Sequence, residues 1–189
     1  MQIEFHGANR NVTGSCHLVR CNNTQLLVDC GMYQGSANGD EENRNDFGFD
    51  PAAIDFLLLT HAHLDHCGRI PLLVKRGFKG RIVCTPATRE LARLVMLDAA
   101  RIQEYDAEYR MKKGGRRGAR GEEVDPLFNT LDALNSLDYF TNIAGFGKPI
   151  ELAAGIGVTF YDAGHILGSA AVALDLKENG HHRRVLFSG

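Results

Sequence analysis

The sequence predicts an α/β fold in which buried strands alternate with helices. The run Phe56–Leu59 is apolar throughout and ends at Thr60, as is typical of a strand that is buried on both faces. A helical pattern and then a second strand pattern, Arg81–Cys84, follow it, and this strand–helix–strand order is typical of a layered α/β domain. With 189 residues, of which 44% are hydrophobic and 23% charged, the chain can bury a sizeable core. We therefore interpret residues 1–189 as one domain.

Short β-rich segments open the chain. Three of them are rich in apolar and β-branched residues: Gln2–Phe5, Cys16–Cys21 and Gln25–Val28. Asn22-Asn23 lies between the last two and predicts the turn of a hairpin. After the buried strand, Cys67–Arg76 predicts one short helix that ends at Gly77, ahead of the strand Arg81–Cys84.

A long helix is predicted to begin at Thr85-Pro86, because threonine is a good N-cap and proline is favoured in the first turn. Apolar side chains then recur at near-helical spacing as far as about residue 111: Leu91, Leu94, Val95, Ile102, Tyr105 and Tyr109. The helix is expected to end at Gly114-Gly115, and Thr130–Leu137 predicts a second, weaker helix.

Strand patterns return in the last third of the chain: Val158–Tyr161, Ala170–Leu176 and Val185–Phe187. Glu178-Asn179-Gly180 predicts the hairpin turn between the last two strands. The sequence stops at Ser188-Gly189, directly after a strand that no helix follows, so we expect the domain to continue beyond it.

Composition limits the compartment and the class of partner. The formal net charge is −2, so any attraction to phosphate must come from a local patch. No apolar run approaches the ~18–20 residues of a membrane span, and Met1–His6 lacks the pattern of a secretory signal. The cysteines are odd in number and form no CxxC pair: Cys16, Cys21, Cys30, Cys67 and Cys84. We expect a cytoplasmic protein with no membrane partner and with buried, structural thiols, although Cys67 directly follows His66.

Residues 112–121, KKGGRRGARG, form a glycine-rich basic segment that we predict to be a mobile loop. Its basic residues are Lys112, Lys113, Arg116, Arg117 and Arg120. A solvated, flexible loop is the simpler interpretation. The alternative is contact with RNA phosphates, because such contacts supply most of the non-specific affinity for nucleic acids.

Four side chains that can bind a metal ion fall within the six residues HAHLDH, between a buried strand and a helix. In extended chain, residues i and i+2 point the same way, so His61 and His63 can reach one ion together. Where the chain turns into the helix, Asp65 and His66 swing toward a neighbouring position. Imidazole and carboxylate groups are ligands that zinc prefers, with iron or manganese as alternatives. A polar loop with fortuitous histidines is a poor explanation of this density.

HAHLDH resembles the HxHxDH signature of the metallo-β-lactamase superfamily. Two more motifs resemble that superfamily in the same order along the chain: Leu26–Gly31 (LLVDCG) upstream and Ala163–Ser169 (AGHILGS) downstream. The residues that the resemblance assigns to the first ion are His61, His63 and His165. It assigns Asp65 and His66 to the second ion and to catalysis. It makes Asp29 a residue that orients a ligand histidine without binding metal itself.

The resemblance also implies the architecture. The chain would be the N-terminal half of an αββα sandwich and would supply roughly one of its two sheets. Gly7–Ser15 (GANRNVTGS) and Thr88–Tyr109 resemble the β-CASP branch, nucleases that process RNA and DNA. In that branch an aspartate that bridges both metals follows the Ser-Gly pair that here ends the chain. We therefore expect a truncation before the β-CASP insertion, which leaves exposed apolar surface and promotes self-association or association with the C-terminal part.

For the full-length protein, the resemblance implies a zinc-dependent phosphodiesterase that cleaves RNA, with DNA as an alternative substrate. In such a site two ions ~3.5–4 Å apart activate a bridging water for in-line attack. The complete site would hold two zinc ions. This chain is expected to hold one or fewer tightly and to have weak activity or none.

Two alternatives to a nuclease remain open. A glyoxalase-II-like thioesterase belongs to the same superfamily, but the long Thr88–Tyr109 helix and the Gly7–Ser15 opening argue against it. A non-catalytic scaffold that pairs with a nuclease would be expected to have lost metal ligands, and none is lost in this stretch.

The remaining histidines are predicted to be structural or solvated. His6 and His17 lie in or beside the first strands, and we expect them to be structural and far from the HAHLDH motif. His181 and His182 lie beside the last hairpin turn, where solvent exposure is expected.

Overall fold

The strands form two sheets in a computed structural model of the chain, which describes residues 1–35, 39–114 and 125–189. The first sheet has six strands in sequence order: β1 (Gln2–Phe5), β2 (His17–Cys21), β3 (Thr24–Val28), β4 (Phe56–Leu58), β5 (Arg81–Cys84) and β6 (Asn142–Ile143). β1 to β3 pair antiparallel, whereas β3 to β6 pair parallel. The predicted strands of the first half are therefore confirmed, and β6 is an addition.

The second sheet is an antiparallel meander in the order β10-β9-β8-β7. Its strands are β7 (Ile150–Ala153), β8 (Ile156–Asp162), β9 (Ala170–Glu178) and β10 (His181–Phe187). The expectation that the chain supplies roughly one sheet is therefore wrong. The hairpins of the last third are long enough, with seven-residue pairings between β8 and β9 and between β9 and β10, to form a sheet of their own.

The two sheets pack face to face through alternating apolar residues. From the first sheet, Leu26, Val28 and Leu58 are fully buried against the second sheet. Phe160 and Val172 meet them from β8 and β9, and both are also fully buried. Strand Phe56–Leu58 is consequently buried on both faces, so the apolar surface expected there is not exposed.

Helices cover the other face of the first sheet. They are α2 (Leu64–Cys67), α3 (Ile70–Lys75), α4 (Pro86–Gly114) and α5 (Thr130–Ser136). A further short helix, α1 (Gly39–Arg44), follows β3, and single 3₁₀ turns lie at Pro51–Ala53 and Leu137–Tyr139. Leu57 and Ile82 of the sheet pack in one core with Leu73 of α3 and Met96 of α4. The described residues thus form helix, sheet and sheet layers of the predicted sandwich. None of the described helices combines the length and apolarity needed to cross a membrane.

The helix predicted over Cys67–Arg76 is two short helices, and the first begins earlier, at Leu64. Pro71 explains the break, because proline cannot donate the backbone hydrogen bond that would continue α2 into α3. Arg69 lies at the junction and is buried, with its Nε donating to the Gly31 carbonyl at 2.8 Å. Its guanidinium stacks over the Tyr33 ring at 5.0 Å, which ties the junction to the segment after β3.

Helix α4 confirms the predicted long helix, but only Leu91 and Val95 of the predicted apolar stripe pack against the core, and both are partly buried. Small side chains and one methionine contact the core: Ala92, Met96, Ala99 and Ala100. Leu94, Ile102, Tyr105 and Tyr109 are exposed. Lys112 and Lys113 belong to the last turn of α4 and not to the predicted loop. Arg116, Arg117 and Arg120 lie outside the described residues, as does the rest of that loop.

Candidate metal centre

The site lies where the parallel strands β3 and β4 end. β3 ends at Val28 and β4 at Leu58, and the Asp29 amide donates to the Leu58 carbonyl at 3.0 Å, which holds the two strand ends together. Asp29 follows the first strand directly, and the stretch from Thr60 to His66 follows the second. The carboxyl edge of the sheet therefore presents both motifs to one cleft.

Three histidines converge in this cleft. Nε2 of His61 lies 3.1 Å from Nδ1 of His63, and Nε2 of His165 lies 3.1 Å from the same atom. One nitrogen from each ring lies within 4.8 Å of the others, a spacing that a single ion can bridge. His61 is buried, whereas His63 and His165 are exposed to the cleft.

The loop between β8 and β9 carries His165 and is fastened by two sets of hydrogen bonds at Gly168 and Ser169. Oγ of Ser169 accepts hydrogen bonds from the amides of His165 and Ile166, at 3.1 and 3.2 Å. The neighbouring Gly168 carbonyl accepts from the hydroxyls of Thr85 and Thr88, at 2.7 and 2.8 Å, at the start of α4. The long helix thus holds in place the loop that brings a third histidine to the strand-end motif.

Asp65 and His66 form a second, smaller pair of donor atoms. They lie in α2, and Oδ2 of Asp65 is 3.7 Å from Nε2 of His66. Nδ1 of His66 is 2.7 Å from Oδ2 of Asp29, and an ionised carboxylate there can only accept. When the His66 ring is neutral, its lone pair is therefore on Nε2, the atom nearest the Asp65 carboxylate.

Burial and nearby charge shift the pKa values of two adjacent histidine rings, His61 and His66, in opposite directions. Burial lowers the pKa of His61 from its ordinary 6.5 to about 4, so this ring is neutral at physiological pH, the form that binds metal. Burial also acts to lower the pKa of His66, but the hydrogen-bonded Asp29 carboxylate outweighs it and the pKa is raised. A proton therefore competes with any ion at His66 more strongly than at His61.

The donor set fits a divalent metal. The cluster offers three imidazole nitrogens at ligand spacing, and a carboxylate and a fourth imidazole lie beside it. The hydrogen bond from His66 to Asp29 resembles the carboxylate–histidine pairing that orients metal ligands in general. In the described residues the cluster includes no cysteine. Cys67 is fully buried and donates to the Ala62 carbonyl at 3.5 Å, and burial raises its pKa well above the ordinary value, so it stays a neutral thiol.

The surrounding cleft includes residues that the sequence did not place there. Ala8 and Val12 of the GANRNVTGS segment line it, together with Phe187 at the end of β10. His17 also lines it, so the expectation that this residue lies far from the motif is wrong. β2 pairs with β3 and brings the His17 ring beside Phe187, with ring centroids 5.7 Å apart. Its buried Nδ1 has no hydrogen-bond partner among the described residues.

Four other residues that the sequence analysis discussed are not among those that line the cleft. His181 and His182 are exposed on β10, as predicted. His6 lies beside Phe49, with ring centroids 5.0 Å apart. Lys112 is exposed on α4, with Nζ 3.9 Å from a carboxylate oxygen of Glu108.

The sequence also missed the hydroxyl groups that support the motif. Thr60 and Ser15 both donate to the Asp29 carboxylate. The only signal in the sequence was their position, next to the HAHLDH motif and within the GANRNVTGS segment, and side chains this small carry no signature of their own.

The chain is similar to a known protein family and to several known proteins. A family model described as the metallo-beta-lactamase superfamily matches residues 10–160. The chain is 36% identical to ribonuclease TTHA0252 of Thermus thermophilus, over all of this chain and 37% of that protein. It is 32% identical to transcription termination factor FttA of Methanosarcina mazei, over all of this chain and 27% of that protein. With the endoribonuclease YSH1 of Candida albicans the identity is 26%, over 97% of this chain and 20% of that protein. The chain thus spans well under half the length of these relatives.

Solved structures show the same fold. A metallo-beta-lactamase of Cronobacter sakazakii with a HARLDQ motif superposes with a TM-score of 0.57 at 20% identity, over 98% of this chain and 55% of that one. BJP-1, a subclass B3 metallo-beta-lactamase of Bradyrhizobium japonicum, gives 0.56 at 20% identity, over 98% of this chain and 58% of that one. At this identity the likeness concerns the fold alone.

Proposed function

The chain belongs to the metallo-β-lactamase superfamily, and from this premise we propose that it carries the metal-binding motifs of a hydrolase that cleaves RNA. The observation that supports hydrolysis is the convergence of His61, His63 and His165 beside the Asp65–His66 pair. The support for RNA as substrate comes from the relatives, two of which are named as a ribonuclease and an endoribonuclease.

We propose zinc as the metal. His61, His63 and His165 would hold one ion, and Asp65 and His66 would help to hold a second. Neutral imidazoles with one carboxylate are a ligand set typical of zinc. When bound, two ions would supply the Lewis acidity that activates water for attack on a phosphodiester and stabilises charge on the phosphoryl oxygens.

The protein's own residues provide positioning around that chemistry. The buried Asp29 carboxylate fixes the ring of His66, and Ser169 fixes the loop that carries His165. Ala8, Val12 and Phe187 add apolar side chains to the lining of the cleft. We also propose that Lys112, with the basic residues that follow it in the sequence, contacts RNA phosphates. We further propose that the protein is cytoplasmic.

The test is cleavage of labelled RNA by the natural full-length protein, compared with hydrolysis of a thioester such as S-lactoylglutathione. We expect zinc-dependent RNA cleavage that His63→Ala abolishes, because one of three ligands to the first ion is removed. His181→Ala, which changes an exposed histidine on β10, should leave the rate unchanged.

Other results would replace the proposal. Thioester hydrolysis without RNA cleavage would identify a thioesterase. A folded, zinc-binding protein that cleaves neither substrate would identify a scaffold. RNA cleavage that survives His63→Ala would show that these histidines do not form the active site.

A further inference from the structure

The Thr60 side chain lies between a buried carboxylate and a histidine of the cluster. Its hydroxyl oxygen is 2.9 Å from Oδ2 and 3.0 Å from Oδ1 of Asp29. On its other side the same oxygen is 3.0 Å from Nδ1 of His61. Thr60 is fully buried and Asp29 nearly so, so no bulk solvent competes for these contacts.

The direction of the hydrogen bonds follows from the chemistry of the three groups. An ionised carboxylate has no proton to give, so the threonine hydroxyl must donate to Asp29. A hydroxyl has one proton, and once it is donated the oxygen can only accept. His61 must therefore donate its Nδ1 proton to Thr60, which leaves the Nε2 lone pair free.

The opposite arrangement is disfavoured on two grounds. Donation from Thr60 to a neutral imidazole would replace a bond to a charged acceptor, which is roughly twice as strong. It would also put the His61 proton on Nε2, the nitrogen that faces the cluster at 3.1 Å from Nδ1 of His63, and a protonated nitrogen has no lone pair to bind an ion. Both grounds select the Nδ1–H form of His61.

We infer that Thr60 is a positioning residue, because its hydroxyl donates to the Asp29 carboxylate and accepts from His61. One buried carboxylate then orients a histidine at each of the two metal positions. Asp29 contacts His66 directly, at 2.7 Å, and reaches His61 through the hydroxyl. This inference rests on the proposed metal site. It adds a link between the two positions that the HAHLDH motif alone does not contain.

Ser15 provides a matched comparison within the same network. Its hydroxyl donates to Oδ2 of Asp29 at 3.2 Å, and Ser15 is also buried. Ser15 and Thr60 therefore both stabilise the carboxylate, but of these two hydroxyls the one that also bonds to His61 is that of Thr60. A role limited to solvating Asp29 predicts similar effects for both residues, whereas the relay predicts that they differ.

The experiment uses the full chain with three substitutions: Thr60→Val, Thr60→Ser and Ser15→Ala. Valine keeps the shape and the backbone amide that donates to Oδ1 of Asp29 at 2.9 Å, and it removes only the hydroxyl. The first measurement is the zinc dissociation constant by competition with a chromophoric chelator. The second is the tautomer of His61 in metal-free protein, from the imidazole ¹⁵N chemical shifts.

We expect Thr60→Val to weaken zinc binding by about 10- to 100-fold, the range typical of groups that orient metal ligands. Its His61 ring should become a mixture of tautomers. Thr60→Ser should keep the wild-type constant and the Nδ1–H form, and Ser15→Ala should keep the Nδ1–H form. The tautomer is measured without metal, so it stays informative even if Thr60→Val folds only at low temperature.

Two results would overturn the inference: zinc binding by Thr60→Val as tight as by Thr60→Ser, or an unchanged Nδ1–H tautomer in Thr60→Val. Failure of the proposed metal site looks different. In that case the wild-type chain itself would bind no zinc, while the tautomer measurement would still accept or reject the relay.

Discussion

Asp29 has a left-handed backbone conformation, with φ at 62°, at the point where β3 ends. Side chains other than glycine rarely adopt this conformation, although aspartate tolerates it better than most. The Asp29 carboxylate lies beneath the motif, where Thr60, Ser15 and His66 all bond to it. Uncommon backbone conformations of this kind cluster at functional sites, where the surrounding contacts hold them in place.

At the level of single residues, the sequence identified the side chains that can bind metal but not the hydrogen bonds that connect them. The density of HAHLDH indicated metal binding, because four donors in six residues have few other uses. The role of Asp29 came only from resemblance, and that of Thr60 could not be predicted. A hydroxyl contact across 31 positions of sequence depends on the pairing of β3 with β4, which no local pattern encodes.

His61 should make the stability of the metal-free chain depend on pH. The unfolded chain protonates this ring below about pH 6.5, whereas burial keeps it neutral in the folded chain down to about pH 4. Because the folded pKa is lowered, the contribution is present at neutral pH and is lost as the pH falls through this window. The loss approaches about 3 kcal/mol at the lower end.

The measurement is urea unfolding in EDTA at several pH values from 7.5 to 4.5 for the wild type and for His61→Asn. The raised pKa of His66 acts in the opposite direction, and it is common to both proteins, so the difference between them isolates His61. The variant should gain on the wild type by about 2–3 kcal/mol over this range. A difference that does not change with pH would mean that His61 is not buried in its neutral form.

At the scale of elements, the start of α4 and the His165 loop form one unit. Thr85 and Thr88 hold the Gly168 carbonyl, and Gly168 has a positive φ of 81°. A Cβ at this position would lie 2.7 Å from both Oγ1 of Thr85 and the backbone nitrogen of Thr88. The helix and the loop are therefore in contact at a point where only glycine fits.

Gly168→Ala should accordingly destabilise the chain more than Gly164→Ala. Gly164 precedes His165 and also has a positive φ, 65°, but no described atom lies within 4 Å of the place that an added methyl group would occupy. We expect a cost of about 1 kcal/mol for Gly164→Ala from backbone strain alone. Gly168→Ala adds overpacking against α4, for a total of about 2–4 kcal/mol.

Urea unfolding of the two variants checks this difference. Gly168→Ala should also weaken zinc binding, because the displaced loop carries His165. Equal destabilisation by the two substitutions would show that the contact between α4 and the loop does not constrain the site.

The spacing of apolar residues predicted where the helices and strands lie better than it predicted which of their faces are buried. The strands of both hairpins and the long helix were recognised, because each has a clear pattern of apolar residues. The exposed Leu94 and Tyr105 show the limit, since the helix packs largely through alanines, whose small side chains allow close approach to the sheet. The short β6 and β7 were missed because Asn142–Ile143 and Ile150–Ala153 are strands only through their neighbours in each sheet.

At the scale of the molecule, three layers bring the two ends of the described chain to one cleft. The first sheet contributes the strand-end motif, and the second contributes His165 and Phe187. The sequence predicted the sandwich, but it predicted only about one sheet from this chain, whereas the described residues form two. Self-association stays a prediction, and the exposed Tyr161 and Leu186 on the second sheet are the surface that motivates it.

The most decisive measurement is the zinc content of the purified chain after dialysis, for the wild type, His63→Ala and His181→Ala. The first position has three nitrogens within 4.8 Å of one another, whereas the second has only the Asp65 and His66 atoms, 3.7 Å apart. We predict about one zinc ion per chain in the wild type and in His181→Ala, and almost none in His63→Ala, because a tetrahedral site cannot readily lose one of three protein ligands. Wild-type chain without zinc, or His63→Ala with as much zinc as the wild type, would contradict the assignment of this cluster as a metal centre.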